Sequence, residues 1–401
     1  MGAFRTEAEL ALAPRAAGAG GLGGKVSLLF AAVYLHYGVF GVFAPVWLTH
    51  QGLRADRVGL LVSTPLLLRL LFVAPITGLA DRLRRIRELL FLCLAATALF
   101  MAALGFVHGF VALAVFFTIL SVAWDPIPIL ADSYAVAAVR ARGLDFGRMR
   151  VWGSLAFILA NLAGGKIIDL AGITIMPMLT AALLLAPLIV IPFLPPDRQF
   201  GDPAPPSKGE WRTLLHDRPL VVVVVATALL ASSQGLQMTF AAIHWTAKGY
   251  SAAFIGVLSA VGIASEIVVL WCAQRLLGGR SPLWLIAASG VLTLLRWLLM
   301  ALDPGPILLI PVQVLQGSGM GMIAGLMLFI ARRVPVHLIA TAQGLNAVVL
   351  GALGAACAMT SGFLWQAFGA RGYLLMALIA ASGLLLVGSQ IARPGRSDQI
   401  A

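Results

Sequence analysis

The chain has 401 residues, 60% apolar and 11% charged, against about 25% charged in ordinary soluble domains. No single core could hide that much apolar surface, so lipid is the solvent and the expected class is an all-α membrane protein, which excludes a soluble enzyme. A net charge of +12 would suggest nucleic acid in a soluble chain; here the basic residues are spaced as membrane topology, and no nucleic-acid partner is expected.

Residues 1–25 are rich in Ala and Gly, lack a charged-then-apolar leader pattern, and read as a tail. Apolar runs of about 20 residues predict helices over 26–49, 57–79, 88–107, 110–139, 148–171 and 174–194. The stretch 195–218, with Asp197, Arg198, Asp202, Lys208 and Asp217 among prolines, reads as a central loop. Further runs at 219–246, 251–276, 281–301, 305–331, 338–366 and 371–391 leave 393–401 as a second tail. The predicted architecture is therefore about twelve helices in two bundles, 26–194 and 219–392. Arg82, Arg84, Arg85 and Arg87 follow the second run, and Arg140, Arg142 and Arg148 the fourth. Lys208, Arg212 and Arg218 follow the sixth, Arg275 and Arg280 the eighth, and Arg332 and Arg333 the tenth. The opposite loops hold only Arg54, Arg57, Lys166, Lys248 and Arg371. By the positive-inside rule, both tails and the central loop are cytoplasmic, in an inner membrane. Cys93, Cys272 and Cys357 are scattered through apolar runs, so neither a disulfide framework, a metal site nor a cofactor is expected.

Ionisable groups inside lipid cost several kcal/mol unless paired or wetted, and each is a functional candidate. On the first helix Tyr34, His36 and Tyr37 form an aromatic, hydrogen-bonding stripe that either binds a planar ligand or packs helices. Arg69 stands mid-way along the second, as a substrate contact or half of an ion pair. On the fourth, Asp125 and Asp132 are seven residues apart, about two turns and roughly 10 Å on one face. They suit proton transfer, since burial favours the neutral carboxyl, or they neutralise arginines. Arg150 opens the fifth helix beside Trp152, while Glu266 and Arg296 sit in the eighth and ninth. Softer candidates are Gln234, Gln237 and His244 on the seventh helix, Gln313 and Gln316 on the tenth, and Gln343 and Asn346 on the eleventh. Gly317-Ser-Gly-Met-Gly321 has the glycine spacing of a phosphate loop, but no strand precedes it; small residues there suit close helix packing.

Gly78-Leu-Ala-Asp-Arg-Leu-Arg-Arg85, weakly echoed by Gln274-Arg-Leu-Leu-Gly-Gly-Arg280, resembles the loop signature of the major facilitator superfamily. The resemblance extends over the whole chain. It implies two six-helix bundles and a gating role for Gly78, Asp81, Arg82 and Arg85; Asp81 as a helix cap is the alternative. Asp145-Phe-Gly-Arg-Met-Arg150 and Phe43-Ala-Pro-Val-Trp-Leu48 are similar to segments of the lactose permease family, which makes Arg150 and Asp132 substrate-site partners and Arg296 a proton-coupling residue. Gly147-Arg-Met-Arg-Val-Trp-Gly-Ser154, Ser265-Glu-Ile267, Leu295-Arg-Trp297 and Pro311-Val-Gln-Val-Leu-Gln316 resemble the phenylpropionate permease family more closely. Where lactose permeases carry titratable groups on helix 10, this chain has Gln313, Gln316 and Gly319. Any proton carrier is then among Asp125, Asp132 and Glu266.

The resemblance implies a monomeric secondary transporter that works by alternating access, with protons, a small-molecule substrate and the lipid bilayer as its partners. The substrate class expected is an aromatic or other organic acid, held among Asp132, Arg150, Arg69, Tyr37, Trp152, Gln237 and Gln316. A sugar or nucleoside symporter is the alternative. An exporter is disfavoured, because the fifth helix from Arg150 to Gly172 contains no proline. No His-Glu-x-x-His, Gly-x-Ser-x-Gly or Walker sequence occurs, so an enzyme is not expected.

Overall fold

The computed structural model describes residues 19–64, positions 68, 72 and 76, and residues 85–200, 211–277, 279–335 and 338–392. Helix α1 spans Ala19–His50 and α2 opens at residues 55–64. Then come α3 (Ile86–Leu104), α4 (Phe110–Arg142), α5 (Phe146–Ala171) and α6 (Ile173–Phe193). The second set is α7 (Arg218–Ala247), α8 (Ala252–Leu277), α9 (Pro282–Ala301), α10 (Pro306–Arg333), α11 (Ile339–Phe368) and α12 (Tyr373–Ile391). Among the described residues 10 spans are long and apolar enough to cross a membrane, and one of them, Thr341–Ile391, takes in most of α11 and all of α12. The predicted run 57–79 continues beyond the described start of α2. Arg69, Gly78, Asp81 and Arg82 lie outside the described residues, and Arg85 is exposed just ahead of α3. The chain is an all-α, multi-pass membrane protein.

Three long helices are interrupted where polar side chains gather. In α4 the segments Phe110–Trp124 and Pro126–Arg142 meet at Asp125, because Pro126 has no N–H to offer the carbonyl four residues back. Helix α7 divides into Arg218–Ser232 and Gly235–Ala247, and α10 tightens into a 3₁₀ turn at Leu315–Gly317. Irregular backbone at membrane depth is tolerated only inside protein or beside a cavity.

Several boundaries differ from the sequence reading. Helix α1 begins at Ala19, before the expected 26. Arg140 and Arg142 do not follow α4 but form its last turn, closed by Gly143 at φ 63°, where basic groups complement the helix dipole. The central loop contains a short helix, Trp211–His216. Its start is bound to the first bundle: the Asp197 carboxylate accepts the Ile86 and Arg87 amides at 3.0 and 3.3 Å, capping α3. Tyr134 donates to the Pro195 carbonyl at 2.7 Å. Asp217 is bound to the second bundle, taking two bonds from Arg333 at 2.7 and 2.8 Å.

The strongest contacts between α1–α6 and α7–α12 gather at the bundle end remote from both termini. There α5 packs extensively on α8, and α1 on the second segment of α7. Gly165 and Gly256 allow this, since a Cβ on either would collide with the Ala252 or Asn161 carbonyl of the opposing helix. Asp169 of α5 accepts the Ala252 and Ala253 amides at 2.6 and 2.9 Å, so one half caps the first turn of a helix in the other. Gln366 of α11 donates to Asp56 at 2.9 Å.

Candidate functional site

The first polar cluster forms where α5 begins against α1 and α4. Asp145 caps α5 by accepting the Arg148 amide at 3.0 Å, and Arg150 follows within the opening turns. Its Nη2 donates to the Tyr34 phenol oxygen at 2.6 Å, and its guanidinium lies 4.1 Å over the Tyr34 ring and 5.5 Å from Phe30. Arg150 Nε stands 3.7 Å from Asp132 Oδ1, within ion-pair range but long for a hydrogen bond. Gly153 makes room for this arrangement: a Cβ there would lie 2.9 Å from the Tyr34 ring and 3.0 Å from Arg150 Nη1.

Next to it, Tyr37 donates to the Trp124 carbonyl at 3.1 Å and stacks on the Trp124 indole, centroids 5.1 Å apart. The indole N–H donates to His36 Nε2 at 3.1 Å, so the proton of a neutral His36 is on Nδ1. Asp125 sits half-buried at the break immediately after Trp124. Trp152 is set apart from the cluster: it shares an exposed face of α5 with Leu155, Leu159 and Leu162.

The second cluster centres on Arg296 of α9, which is completely buried. Nη1 donates to the Gln234 side-chain oxygen at 3.1 Å, and Nη2 to those of Gln313 and Gln316, both at 2.9 Å. The breaks in α7 and α10 aim these amides at one point. Gln316 then donates its N–H to Glu266 at 3.0 Å, so an amide stands between guanidinium and carboxylate. Gly262 of α8 provides the space, since a Cβ there would lie 2.6 Å from the Gln316 oxygen. Trp297 donates to Ser233 at 2.9 Å and stacks on Tyr373, whose phenol donates to Gln237 at 3.0 Å.

At the remote end, His244 of α7 and Lys248 just after it both contact Asp303 Oδ1, at 2.7 and 2.6 Å. Burial works against the Asp303 charge, but these bonds outweigh it and hold its carboxyl below the ordinary range. Asp303 is the one positive-φ residue other than glycine among the described residues, at 51°. Gln343 is exposed and Asn346 half-buried on α11. Reading the sequence brought Asp132 and Arg150 together, and Arg296 with Glu266 only by class. Tyr34 as the Arg150 partner, and the cross-half cap at Asp169, were missed. The sequence signal for Tyr34 is the aromatic, hydrogen-bonding stripe it forms with His36 and Tyr37 on the first helix.

A sequence profile described as the MFS_1 like family matches residues 28–376. The chain belongs to the MFS_1 like family. Its similarity to a protein of Escherichia coli (strain K12) named "Probable 3-phenylpropionic acid transporter" is 27% identity over 369 residues, covering 90% of this chain and 96% of that one. A maltose permease of Geobacillus stearothermophilus is 28% identical over 368 residues, covering 90% and 92%. The crystal structure of the nucleoside transporter NupG superposes with a TM-score of 0.78 at 17% identity, covering 92% of this chain and 98% of that one. This MFS_1 like chain is a transporter of small molecules, not an enzyme, and it has the fold of that structure.

Proposed function

We propose that the chain is a proton-coupled symporter taking up an organic acid with an aromatic ring, working as a monomer in an inner membrane with both termini cytoplasmic. The observation that carries this reading is the state of Arg150. Its guanidinium bonds a phenol and lies over aromatic rings, yet approaches its nearest carboxylate, Asp132, only to 3.7 Å. A substrate carboxylate can take the fork of an arginine in bidentate fashion, and Tyr34, Tyr37 and Trp124 offer ring faces.

Asp132 and the substrate carboxylate then compete for one cation. A proton on Asp132 removes the competitor, so proton and organic anion bind together; losing both restores the Asp132–Arg150 pair. Asp125 and Glu266 are further carriers, with Arg296 sensing Glu266 through Gln316. The similarity to the protein named as a phenylpropionic acid transporter supports the substrate class. On this orientation the remote end, where the halves pack most closely, is extracytoplasmic.

The test is uptake of labelled 3-phenylpropionate into proteoliposomes under an imposed pH gradient. Gradient-driven accumulation is expected, with Asp132→Asn retaining exchange but losing accumulation. Replacing Arg150 by Lys keeps the charge and removes the fork, and uptake should fall by roughly 10- to 100-fold, as for loss of one or two charge-assisted hydrogen bonds. Uptake indifferent to the gradient and to both changes would defeat the reading. A sugar substrate is the second reading, favoured by the amides around Arg296, which suit hydroxyl groups, and by the maltose permease similarity. Thermal-shift screening against acids, sugars and nucleosides separates the two.

A further inference from the structure

Helices α8 and α9 touch each other sparingly, although both pack well on α10. Between them lies a groove of about 710 Å³, walled by Val269 of α8, by Trp284, Leu285 and Leu292 of α9, and floored by Ser318 of α10; Arg280 stands at its mouth. Apart from the serines, this lining along α9 is hydrocarbon or indole. The groove opens on the outer face of the bundle, where Trp284 and Leu292 are exposed, and not towards Arg296 or Arg150.

Three features agree on one occupant. The first is length. From Pro282, where α9 starts, to Leu292 the helix rises ~15 Å, half the ~30 Å hydrocarbon core; the groove therefore spans one leaflet. The second is its mouth. Trp284 is exposed beside Arg280, and on the last turns of α8 Arg275 lies 5.6 Å over the exposed Trp271 ring, the aromatic and basic pattern of a headgroup boundary. The third is charge. No ion pair joins Arg275 or Arg280 to an acid among the described residues, and both are exposed. A basic mouth over an apolar, leaflet-deep slot complements a phosphate carrying acyl chains. A second copy of the chain would supply apolar surface but nothing for the two arginines.

We propose that this groove is a binding site for one anionic phospholipid from the leaflet on the side of the termini. Its phosphate rests on Arg280, and an acyl chain lies between Val269 and Leu292. The inference needs only that the chain spans a membrane, and is independent of what it transports. Occupancy would bear on transport indirectly, because the floor residue Ser318 bonds Thr293 at 2.9 Å, one turn from Arg296.

The full chain is reconstituted in nanodiscs of equal parts phosphatidylglycerol and phosphatidylcholine, extracted in detergent, and weighed intact by native mass spectrometry. One retained phosphatidylglycerol per chain is expected. Retention should fall about fivefold in Arg280→Gln, the contribution of one basic residue at an anionic surface. It should fall for both lipids in Ala288→Trp, which fills the slot from an exposed position of α9. Unchanged thermal unfolding of both variants checks the fold. Equal retention of the two lipids, retention unaffected by either substitution, or a retained second copy in place of lipid would each overturn the proposal.

Discussion

The two halves of the molecule each bury an arginine, and they treat it in opposite ways. Arg150 keeps about a third of its side chain exposed and shares its charge with a phenol, two ring faces and a carboxylate at 3.7 Å. Arg296 is sealed, and three neutral amide oxygens receive its donors before any carboxylate does. An ion removed from water costs several kcal/mol unless its surroundings replace the lost solvation. Around Arg296 the replacement is three amide dipoles from α7 and α10, each within hydrogen-bond distance. Around Arg150 the carboxylate partner, Asp132, stands at 3.7 Å, beyond hydrogen-bond length. Burial alone therefore does not separate the two arginines; the distance and kind of their partners do.

The sharpest break in this comparison would come from Arg296. Replacing it by Met leaves Gln234, Gln313, Gln316 and Glu266 around an apolar chain, and the folded protein should lose about 3–5 kcal/mol, the usual penalty for removing one partner of a buried charged network. Thermal unfolding in detergent reads this directly. If Arg296→Met unfolds like the wild type while Arg150→Met does not, the roles assigned to the two halves are reversed. A smaller effect, about 1–3 kcal/mol from overpacking, is expected of Gly153→Ala, whose new methyl meets Tyr34 and Arg150 together. It should weaken substrate binding more than it changes the turnover of bound substrate; a pure loss of turnover would place Gly153 outside the site.

Much of this contrast was visible in the sequence as positions, and little of it as partners. Apolar run length marked the spans, and Arg150, Arg296, Asp132 and Glu266 stood out because ionisable side chains are costly there. The partners depend on how helices distant in sequence meet. Gln316 reaches Arg296 only because α10 tightens at Leu315–Gly317, and Gly262 clears its path only because α8 lies across that turn. Asp197 and Asp169 cap helices 111 and 83 residues away from them in sequence, and no local pattern encodes such a bond. The helix Trp211–His216 has 6 residues, too few for hydrophobic periodicity to register.

The remote-end acids repeat the contrast on a smaller scale. Asp169 joins the two halves, whereas Asp303 ties together parts of one. Asp169→Asn should cost about 1 kcal/mol, as for loss of a helix cap, and only in the state closed at that end. Cysteine crosslinking between the end of α5 and the start of α8 should then slow; an unchanged rate would mean that Asp169 holds nothing shut. The least effect is expected of Asp303→Asn, within ~1 kcal/mol for so exposed a cluster. The folded Asp303 pKa lies below its ordinary 3.8, so its ionisation stabilises the fold fully above that value and is lost only as pH falls through the lower one. Between pH 5 and 8 its carboxylate stays charged. Uptake by Asp303→Asn should keep the wild-type pH midpoint, unlike Asp132→Asn, and a displaced midpoint would move proton coupling to the remote end.

The two ends of the central loop are anchored to different bundles. Asp197 travels with the first bundle and Asp217 with the second, so the tether between the halves is shorter than its sequence suggests. From Phe200 to Trp211 the covalent chain can reach at most about 40 Å. That reach is an upper limit on how far the terminus-side ends of the bundles can part while both anchors hold. Lengthening the segment would leave every polar contact described above in place and relax only that limit.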